Sequence, residues 1–409
     1  MEHTNVLYLS YDGMTDPLGQ SQVIPYLAGL SKKGFRFHLV SFEKAGNFEK
    51  YKDQISQLLK EHIIEWYPIS YTKNPPVLST MIDLIRMKHA AKKIIGEQDV
   101  KILHCRSYIS GIAGLSLSRS TGARFLFDMR GFWADERVDG GLWNLSNPVY
   151  NFIYRYFKNK ERQMIAGADA VVSLTENAKT EIDSWQIRPS GKEPIHVIPC
   201  CADLDLFSRD AIPEDKIAAL RNELKIPSNI PVISYLGATG TWYLTEEMLD
   251  FFKLFLAKYP EAIFFFITKD HPEEIISMAE KKSIPASRLR FFSAQRSEVP
   301  AALSLSDVSL FFIKPAFSKK ASSPTKQGEI MGMGLPLICN KNIGDTDKVV
   351  FTYNSGIVID LTTSSMQMAV DKFEILKKIP SSSIRQGARE FYSLESGVMK
   401  YKIVYDSLI

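Results

Sequence analysis

Short apolar segments that recur between longer stretches with helical spacing constrain the fold of this chain most strongly. Uninterrupted runs of aliphatic, β-branched and aromatic residues are typical of strands covered on both faces, as in parallel sheets flanked by helices. A first series predicts strands at residues 6–10, 37–42, 63–69, 102–105, 125–128, 170–174 and 196–198. Between them, the spacing predicts helices at 20–33, 78–96 and 148–166.

A second series begins after the pattern changes at Pro199. Periodicity is lost over 200–215, and strands are then predicted at 232–236, 263–268, 290–292, 308–313, 336–339 and 357–359. The 409 residues exceed the usual size of a single core, so we expect two domains, 1–202 and 203–385. The end of the chain carries only helical patterns, and we expect 386–409 to be helical and to pack back on the first domain.

The fold class that this order predicts is α/β, with two Rossmann-like, doubly wound domains. Such sheets bind ligands at the carboxyl ends of their strands. We therefore expect the two domains to face each other across a cleft that holds the functional residues.

Composition argues against several classes of protein. The formal net charge of +4 is too small to indicate nucleic-acid binding, but it suits an anionic ligand or a membrane surface. The four cysteines lack C-x-x-C spacing and the seven histidines lack ligand spacing, so neither a disulfide framework nor a metal site is expected. No secretory pattern precedes the first strand, and no apolar run approaches the roughly 18 residues that span a bilayer. We expect a cytoplasmic protein that is neither secreted nor integral to a membrane.

A loop after the first predicted strand contains Gly13 and Gly19. Glycines let the backbone approach a ligand, and the helix start that follows favours negative charge. An ordinary turn between a strand and a helix is the alternative interpretation.

Five charged residues cluster at the end of the fifth predicted strand and just beyond it. Among them, Arg130 is a candidate for holding a phosphate or an acceptor carboxylate, and Asp128 either acts as a base or orients Arg130. Asp135 and Glu136 lie further along the cluster, and Arg106 ends the neighbouring strand. A structural ion-pair network is the alternative.

In the predicted second domain, Gly237, Thr239 and Gly240 lie in a loop between a strand and a helix that begins near Thr245. Closely spaced glycines suit a diphosphate that lies on backbone N–H groups. The full G-x-G-x-x-G pattern is absent, so this motif alone is weak.

The strongest motif precedes the fifth predicted strand of the second domain. Pro324 suits the first turn of a helix, where Ser323 and Thr325 supply hydroxyl groups and Lys326 supplies a cation for a phosphate. Glu329 lies one helical turn beyond Thr325, where a carboxylate suits the two hydroxyls of a ribose. A capped surface helix is the alternative.

Two D-x-D triplets, residues 203–205 and 345–347, are not interpreted as metal ligands. The first lies in the predicted linker, and the second lies just ahead of a helix, where carboxylates often act as caps. We expect no metal and no other cofactor.

The predicted helices 78–96 and 148–166 combine apolar residues with basic ones. The basic residues are Arg86, Lys88, Lys92, Lys93, Arg155, Lys158, Lys160 and Arg162. Such a composition can bind an anionic membrane surface. It is also typical of amphipathic helices that cover a sheet.

Together these segments resemble family 4 of the glycosyltransferases, whose members have the GT-B fold of two Rossmann-like domains. The likeness covers nearly the whole chain and rests on residues 7–13, 197–207 and 326–336. It implies that the carboxyl domain binds a UDP or GDP sugar and that the amino domain binds a glycan or a lipid-linked acceptor. It also implies metal-free transfer of a hexosyl group with retention of configuration, in surface polysaccharide or lipopolysaccharide assembly at the inner membrane face.

The same resemblance assigns roles to individual residues. Lys326 would be the chief cation for the diphosphate, which the glycine loop would also hold. Glu329 would contact the ribose. The family commonly has a glutamate eight positions before that one, where this chain has Ala321. The basic pair common after the glycine loop is absent, so Lys326, Lys314 or Arg296 would replace it.

Two other functions remain as alternatives. A nucleotide-sugar epimerase of similar fold would need a histidine in the cleft, and His104 is the only histidine at a suitable strand end. The alanine at position 321 is also compatible with a degenerate domain that binds a nucleotide sugar without catalysis.

Overall fold

A computed structural model describes residues 3–75 and 78–409. The chain divides into two compact units. Unit 1 comprises Met1–Pro199, Phe317–Ser322 and Leu394–Ile409, and unit 2 comprises Cys200–Ala316 and Ser323–Ser393. Unit 1 is therefore assembled from three separate stretches of sequence.

The sheet of unit 1 has seven parallel strands in the order β3-β2-β1-β4-β5-β6-β7. The strands are β1 (Thr4–Ser10), β2 (Phe35–Glu43), β3 (Ile64–Ser70), β4 (Val100–Arg106), β5 (Arg124–Asp128), β6 (Ala170–Ser173) and β7 (His196–Val197). The central strands are almost entirely buried, which explains their uninterrupted apolar sequences.

Within the described residues of unit 1, eight helices lie between these strands. They are α1 (Pro17–Gln22), α2 (Ile24–Ser31), α3 (Ala45–Glu61), α4 (Leu78–Glu97), α5 (Ser107–Thr121), α6 (Trp133–Asp139), α7 (Pro148–Gly167) and α8 (Glu176–Ser184). The predicted single helix over 20–33 is wrong, because the segment forms α1 and α2 with a break at Val23. Pro25 has no N–H to donate, so it starts the second helix and cannot continue the first.

Unit 2 has six parallel strands in the order β10-β9-β8-β11-β12-β13. They are β8 (Val232–Leu236), β9 (Ile263–Ile267), β10 (Leu289–Phe292), β11 (Val308–Phe311), β12 (Leu337–Asn340) and β13 (Gly356–Ile359). In both units the strands lie within two residues of their predicted bounds, and the predicted α/β fold class is confirmed.

Nine helices cover the sheet of unit 2, and one more returns to unit 1. Those of unit 2 are α9 (Glu214–Glu223), α10 (Thr245–Lys258), α11 (Pro272–Lys281), α12 (Val299–Leu303), α13 (Thr325–Gly332), α14 (Thr346–Tyr353), α15 (Thr363–Asp371), α16 (Phe373–Leu376) and α17 (Ser381–Tyr392). The last helix, α18 (Leu394–Asp406), belongs to unit 1.

The boundaries between the units differ in detail from the predicted ones. The chain passes from unit 1 to unit 2 between Pro199 and Cys200. The predicted return segment, 386–409, begins inside α17, whose Ala388 and Tyr392 are buried in the core of unit 2. Only the part from Leu394 onward belongs to unit 1.

Helix α18 packs on α2 in unit 1. Gly29 in α2 makes this approach possible, because a β-carbon there would lie 2.5 Å from a methyl group of Val398. The Tyr405 ring lies 4.9 Å from the Phe35 ring and the Tyr401 ring lies 5.5 Å from the Tyr26 ring. The end of the chain therefore completes the core of unit 1.

In the described part of the chain, no helix combines the length and apolar character needed to cross a membrane.

Candidate functional site

In unit 2 the strand order brings the loop after β8 next to the loop after β11. Strands β8 and β11 are neighbours although β9 and β10 separate them in sequence. A parallel sheet offers a crevice for a ligand at such a switch point. Backbone hydrogen bonds tie the two loops together, from the N–H of Leu244 to the carbonyl of Phe312 at 3.0 Å and from Lys314 to Trp242 at 2.8 Å.

Two glycines of the loop after β8 have backbone angles that other residues rarely adopt. The φ angle is 122° at Gly237 and 100° at Gly240. A β-carbon at position 237 would lie 2.7 Å from Nζ of Lys326. Gly237 therefore leaves the space that the lysine side chain occupies.

Lys326 lies in the first turn of α13, and only 7% of the residue is exposed. Its Nζ donates to Oη of Tyr235 at 3.2 Å and lies 3.7 Å from the centre of the Tyr243 ring. The amino end of a helix carries a partial positive charge, which a buried cation reinforces. Positive charge is thus concentrated at one point, and this arrangement is suited to an anion.

The pKa of Lys326 reflects this environment. Burial lowers it to about 7, although the carboxylate of Glu329 acts in the opposite direction. At neutral pH the amine is therefore divided between its charged and neutral forms. An anion bound beside it would stabilise the charged form.

Glu329 is buried one turn further along α13. Nη1 of Arg296 donates to Oε1 of Glu329 at 2.9 Å, and the guanidinium lies 5.3 Å from the centre of the Phe207 ring. The sequence motifs placed both residues at the site but did not predict that they pair.

Two predicted phosphate contacts have protein partners in unit 2. The backbone N–H and the hydroxyl of Thr239 both donate to Oδ2 of Asp270, the hydroxyl at 2.9 Å. The hydroxyl of Ser323 accepts a hydrogen bond from the Cys200 N–H at 3.0 Å. Asp270 follows β9, and no sequence motif identified it. The third predicted hydroxyl, that of Thr325, belongs to a half-buried residue at the start of α13.

In unit 1, the ends of β4 and β5 hold a buried cluster of charges. Asp128 is 1% exposed. Its carboxylate lies 3.8 Å from Nη1 of Arg130 and 3.9 Å from Nη1 of Arg106, whose side chains are 9% and 4% exposed. Nε of Arg106 also donates to Oδ2 of Asp12 at 3.3 Å. Asp128 is therefore a counter-charge shared by both guanidinium groups, and its role as a base or as an orienting group stays a prediction.

Helix α18 contributes a tyrosine to this cluster that the sequence motifs did not reveal. The hydroxyl of Tyr401 donates to Asp128 at 3.0 Å. His104 lies between Asp128, at 3.4 Å, and the hydroxyl of Tyr405, at 2.7 Å. Burial lowers the pKa of His104. Burial by itself would raise the pKa of Asp128, but the charge of Arg130, the hydrogen bond with His104 and the charge of Arg106 outweigh it, so that pKa is lowered.

Comparison with protein families gives a match over the first part of the chain. Residues 19–206 match the family described as Glycosyltransferase Family 4. This part of the chain therefore matches the family 4 glycosyltransferases. The resemblance inferred from the sequence motifs is thereby confirmed, whereas Lys326 and Glu329 lie outside the matched residues.

Solved structures similar to this chain share its GT-B fold. A glycosyltransferase from Rickettsia africae ESF-5 has a TM-score of 0.72 at 14% identity, covering 100% of this chain and 99% of that one. Sucrose-phosphate synthase from Thermosynechococcus elongatus has a TM-score of 0.72 at 13% identity, covering 99% of both chains. HepE from Anabaena, in complex with UDP and glucose, has a TM-score of 0.70 at 12% identity, covering 99% of this chain and 100% of that one. No curated protein matches the sequence.

The loop after β1 is organised around a residue that no sequence motif identified. The buried carboxylate of Glu43 accepts hydrogen bonds from the N–H of Met14 at 2.7 Å and of Thr15 at 3.1 Å. A β-carbon on Gly13 would lie 2.8 Å from that carboxylate, and one on Gly19 would clash with the Gly13 carbonyl. Both glycines are therefore required for packing of the loop itself.

The remaining charges predicted for unit 1 are paired within it. Asp135 accepts hydrogen bonds from the Tyr154 hydroxyl and the Lys158 ammonium group, each at 2.8 Å. Glu136 accepts one from Nζ of Lys319 at 2.7 Å. Both carboxylates thus have structural partners, and their contact with an acceptor stays a prediction.

Across residues 3–75 and 78–409, no group of three or more His, Cys, Asp or Glu side chains is arranged to hold a metal ion. Oδ1 of Asp203 accepts hydrogen bonds from the N–H groups of Asp205 and Leu206, so the first D-x-D triplet forms a turn. Asp345 lies at the N-cap position of α14.

Proposed function

We propose that this transferase binds a nucleoside diphosphate sugar in unit 2 and moves its hexosyl group to a glycan or lipid-linked acceptor with retention of configuration. The observation that carries the proposal is the buried Lys326 beside Gly237, at the switch point of the unit 2 sheet. Retention is the stereochemistry that the family resemblance implies.

The diphosphate would lie at the start of α13, with Lys326 as its cation. Negative charge develops on the leaving diphosphate during transfer, and a positioned cation stabilises that charge. The first turn of α13 and the hydroxyls of Ser323 and Thr325 would assist it. In this mechanism the protein itself stabilises the charge, and no metal takes part.

Glu329 would accept hydrogen bonds from the ribose hydroxyls of the donor. The support is its position one turn beyond the proposed phosphate site and its pairing with Arg296, which fixes one carboxylate oxygen. A UDP sugar is the first choice of donor, because the similar HepE structures from Anabaena include complexes with UDP and with UDP-glucose.

The acceptor would bind in unit 1, near Arg130. The φ angle of Arg130 is 59°, a left-handed conformation that non-glycine residues rarely adopt. Its guanidinium is held by Asp128, so it is preorganised for an anionic group of the acceptor. We propose that the reaction belongs to surface polysaccharide or lipopolysaccharide assembly in the cytoplasm.

A peripheral membrane contact is part of the proposal. Helices α4 and α7 expose large apolar side chains, among them Met81, Ile85 and Phe152. Burial, followed by the charges of Lys160 and Lys92, lowers the pKa of Lys88, so basic residues of both helices lie near one another. Apolar and basic groups together favour an anionic lipid surface. Sedimentation with lipid vesicles tests this contact, and we expect more protein to sediment with anionic phosphatidylglycerol vesicles than with phosphatidylcholine vesicles. Equal sedimentation with the two would contradict the contact.

A thermal-shift screen against UDP, GDP, CMP and their sugar conjugates, with and without EDTA, tests the donor proposal. We expect one nucleoside diphosphate to raise the melting temperature, with EDTA making no difference. Lys326→Ala should abolish the shift, whereas the matched control Lys341→Ala, which removes an exposed ion pair of unit 2, should retain it. A shift that EDTA abolishes would contradict the metal-free mechanism, and no shift with any of these nucleotides would contradict the donor site itself.

A further inference from the structure

A pocket of about 380 Å³ lies within unit 1. None of its lining residues has a catalytic role in the proposed reaction. Its walls come from α6, α7, the residue after the C-terminal end of α8, and the start of the segment Phe317–Ser322. Its lining includes Asp139, Tyr154, Lys158, Arg162, Trp185 and Phe317. Its volume is in the range typical of small-ligand sites.

Aromatic rings form one side of this pocket. Phe317 is 38% exposed, and its ring stacks on Phe132 with centres 5.2 Å apart. The Phe132 ring also lies 5.6 Å from the Trp185 ring. Because the buried Phe132 supports both outer rings, they are held in place before any ligand arrives.

The polar side of the pocket is also held in position. The Lys158 ammonium group binds Asp135 at 2.8 Å and lies 5.0 Å from the centre of the Trp185 ring. Tyr154 donates to Asp135 at 2.8 Å, and Asp139 accepts from the Ser318 N–H at 2.9 Å. These contacts fix the hydrogen-bonding groups around the cavity.

Arg162 differs from the other charged residues of the pocket. It is exposed, and within the described ranges its guanidinium group makes neither an ion pair nor a hydrogen bond. A guanidinium group has five N–H donors, so Arg162 can bind a ligand without first breaking contacts in the protein.

A hydroxylated ring with one apolar face matches this combination. Each sugar hydroxyl both donates and accepts, so carboxylates beside cationic donors satisfy it, while the C–H face of a pyranose can pack on an aromatic ring. We propose that this pocket is a subsite that binds one pyranose residue of a glycan. The choice of a glycan rests on the proposed function, but binding there requires neither donor nor turnover.

Saturation-transfer NMR with four named probes tests the subsite: cellotetraose, maltotetraose, chitotetraose and a tetrasaccharide of alternating glucuronate and N-acetylglucosamine. We expect at least one of them to bind the full-length protein. Arg162→Ala should weaken that binding about tenfold or more, a loss of roughly 1.4 kcal/mol. Arg155→Ala, which removes an exposed arginine from the same helix outside the pocket, is the matched control and should have no effect.

The aromatic side is tested with Trp185→Ala and Trp185→Phe. We expect the alanine variant to lose binding and the phenylalanine variant to keep most of it, since an aromatic face remains. If Trp185→Ala does not fold, Phe317→Ala supplies the same test at an exposed ring. No binding of any probe, or equal binding by the Arg162 and Arg155 variants, would overturn the subsite.

The two proposals can fail separately. UDP titrated into the same samples reports on unit 2, and Lys326→Ala should lose UDP while keeping the oligosaccharide. UDP binding without any oligosaccharide binding overturns the subsite alone, whereas the reverse result overturns the donor site alone.

Discussion

Lys326 is the titratable group on which the proposed binding of the donor depends. Its folded-state pKa of about 7 lies below the usual value for lysine, and a bound diphosphate would favour its protonated form. Binding above pH 7 should therefore take up a proton, and affinity for UDP should fall as pH rises, by at most about tenfold per unit. The terminal phosphate of UDP ionises near pH 6, so it does not explain a change above pH 7.

Calorimetric titration with UDP at pH 7 and pH 9 measures this effect. Lys326→Arg is the control, because a guanidinium stays charged over that range and should give equal affinities. Equal affinities for the unmodified protein at the two pH values would rule out Lys326 as the titrating cation.

Asp128 is a buried counter-charge for two arginines of unit 1. Asp128→Asn should lower the free energy of unfolding by about 3–5 kcal/mol, because Arg106 and Arg130 would lose a buried counter-charge. Since the folded-state pKa of Asp128 is lowered, its contribution exists above the unfolded pKa near 4 and is lost as pH falls through the folded value. Urea denaturation at pH 7 measures the loss. Asp12→Asn, at a far more exposed partner of Arg106, should cost less than about 1 kcal/mol, and equal losses would contradict the assignment.

At the scale of elements, the segment Phe317–Ser322 is held to unit 1 by two ion pairs of different burial. Nζ of Lys319, on a side chain that is 7% exposed, lies 2.7 Å from Glu136. Lys320 lies the same distance from Glu181 but is 46% exposed. Double-mutant cycles should therefore give a coupling energy of about 1 kcal/mol or more for the first pair and less than about 0.5 kcal/mol for the second. Larger coupling for the exposed pair would contradict this order.

The elements also show what the sequence could and could not predict. Buried parallel strands are recognisable because they are continuously apolar, whereas α5 was missed because it is rich in glycine and serine and lacks an apolar stripe. At Gly111 a β-carbon would lie 2.5 Å from the sulfur of Met164, and at Gly114 it would clash with Cys105. Small residues there serve close packing, which periodicity does not register.

Contacts between distant residues were the least predictable part of the candidate site. Lys326, Glu329 and the glycine loop were identified because their spacing along a helix or turn is itself informative. The links from Glu43 to the first loop and from Asp270 to Thr239 depend on the folded arrangement of separate strands. The same holds for Tyr401, which approaches Asp128 from the other end of the chain.

At the scale of the whole molecule, unit 1 depends on the last helix of the chain. Removing the residues from 394 onward would expose the core beneath Val398, Tyr401, Val404 and Tyr405. Burial of a large apolar side chain contributes about 1.5–3 kcal/mol, so the loss should be on the order of 5 kcal/mol or more. Scanning calorimetry should show a strongly lowered melting temperature, whereas removing only Ile409, which is 64% exposed, should have little effect. An unchanged melting temperature in the longer truncation would contradict this dependence.

The two-unit organisation itself follows from length and alternation of elements, as predicted. The sequence did not predict that Phe317–Ser322 belongs to unit 1, because its pattern is that of an ordinary loop between a strand and a helix. The partners of that segment, Asp139, Glu136 and Glu181, are all more than 100 residues away in sequence.

A crystal structure of the UDP complex tests the central claim most directly. The claim predicts a diphosphate oxygen within about 3 Å of Nζ of Lys326 and the ribose hydroxyls at the carboxylate of Glu329. UDP bound in unit 1, or in unit 2 with its diphosphate out of reach of Lys326, would contradict it.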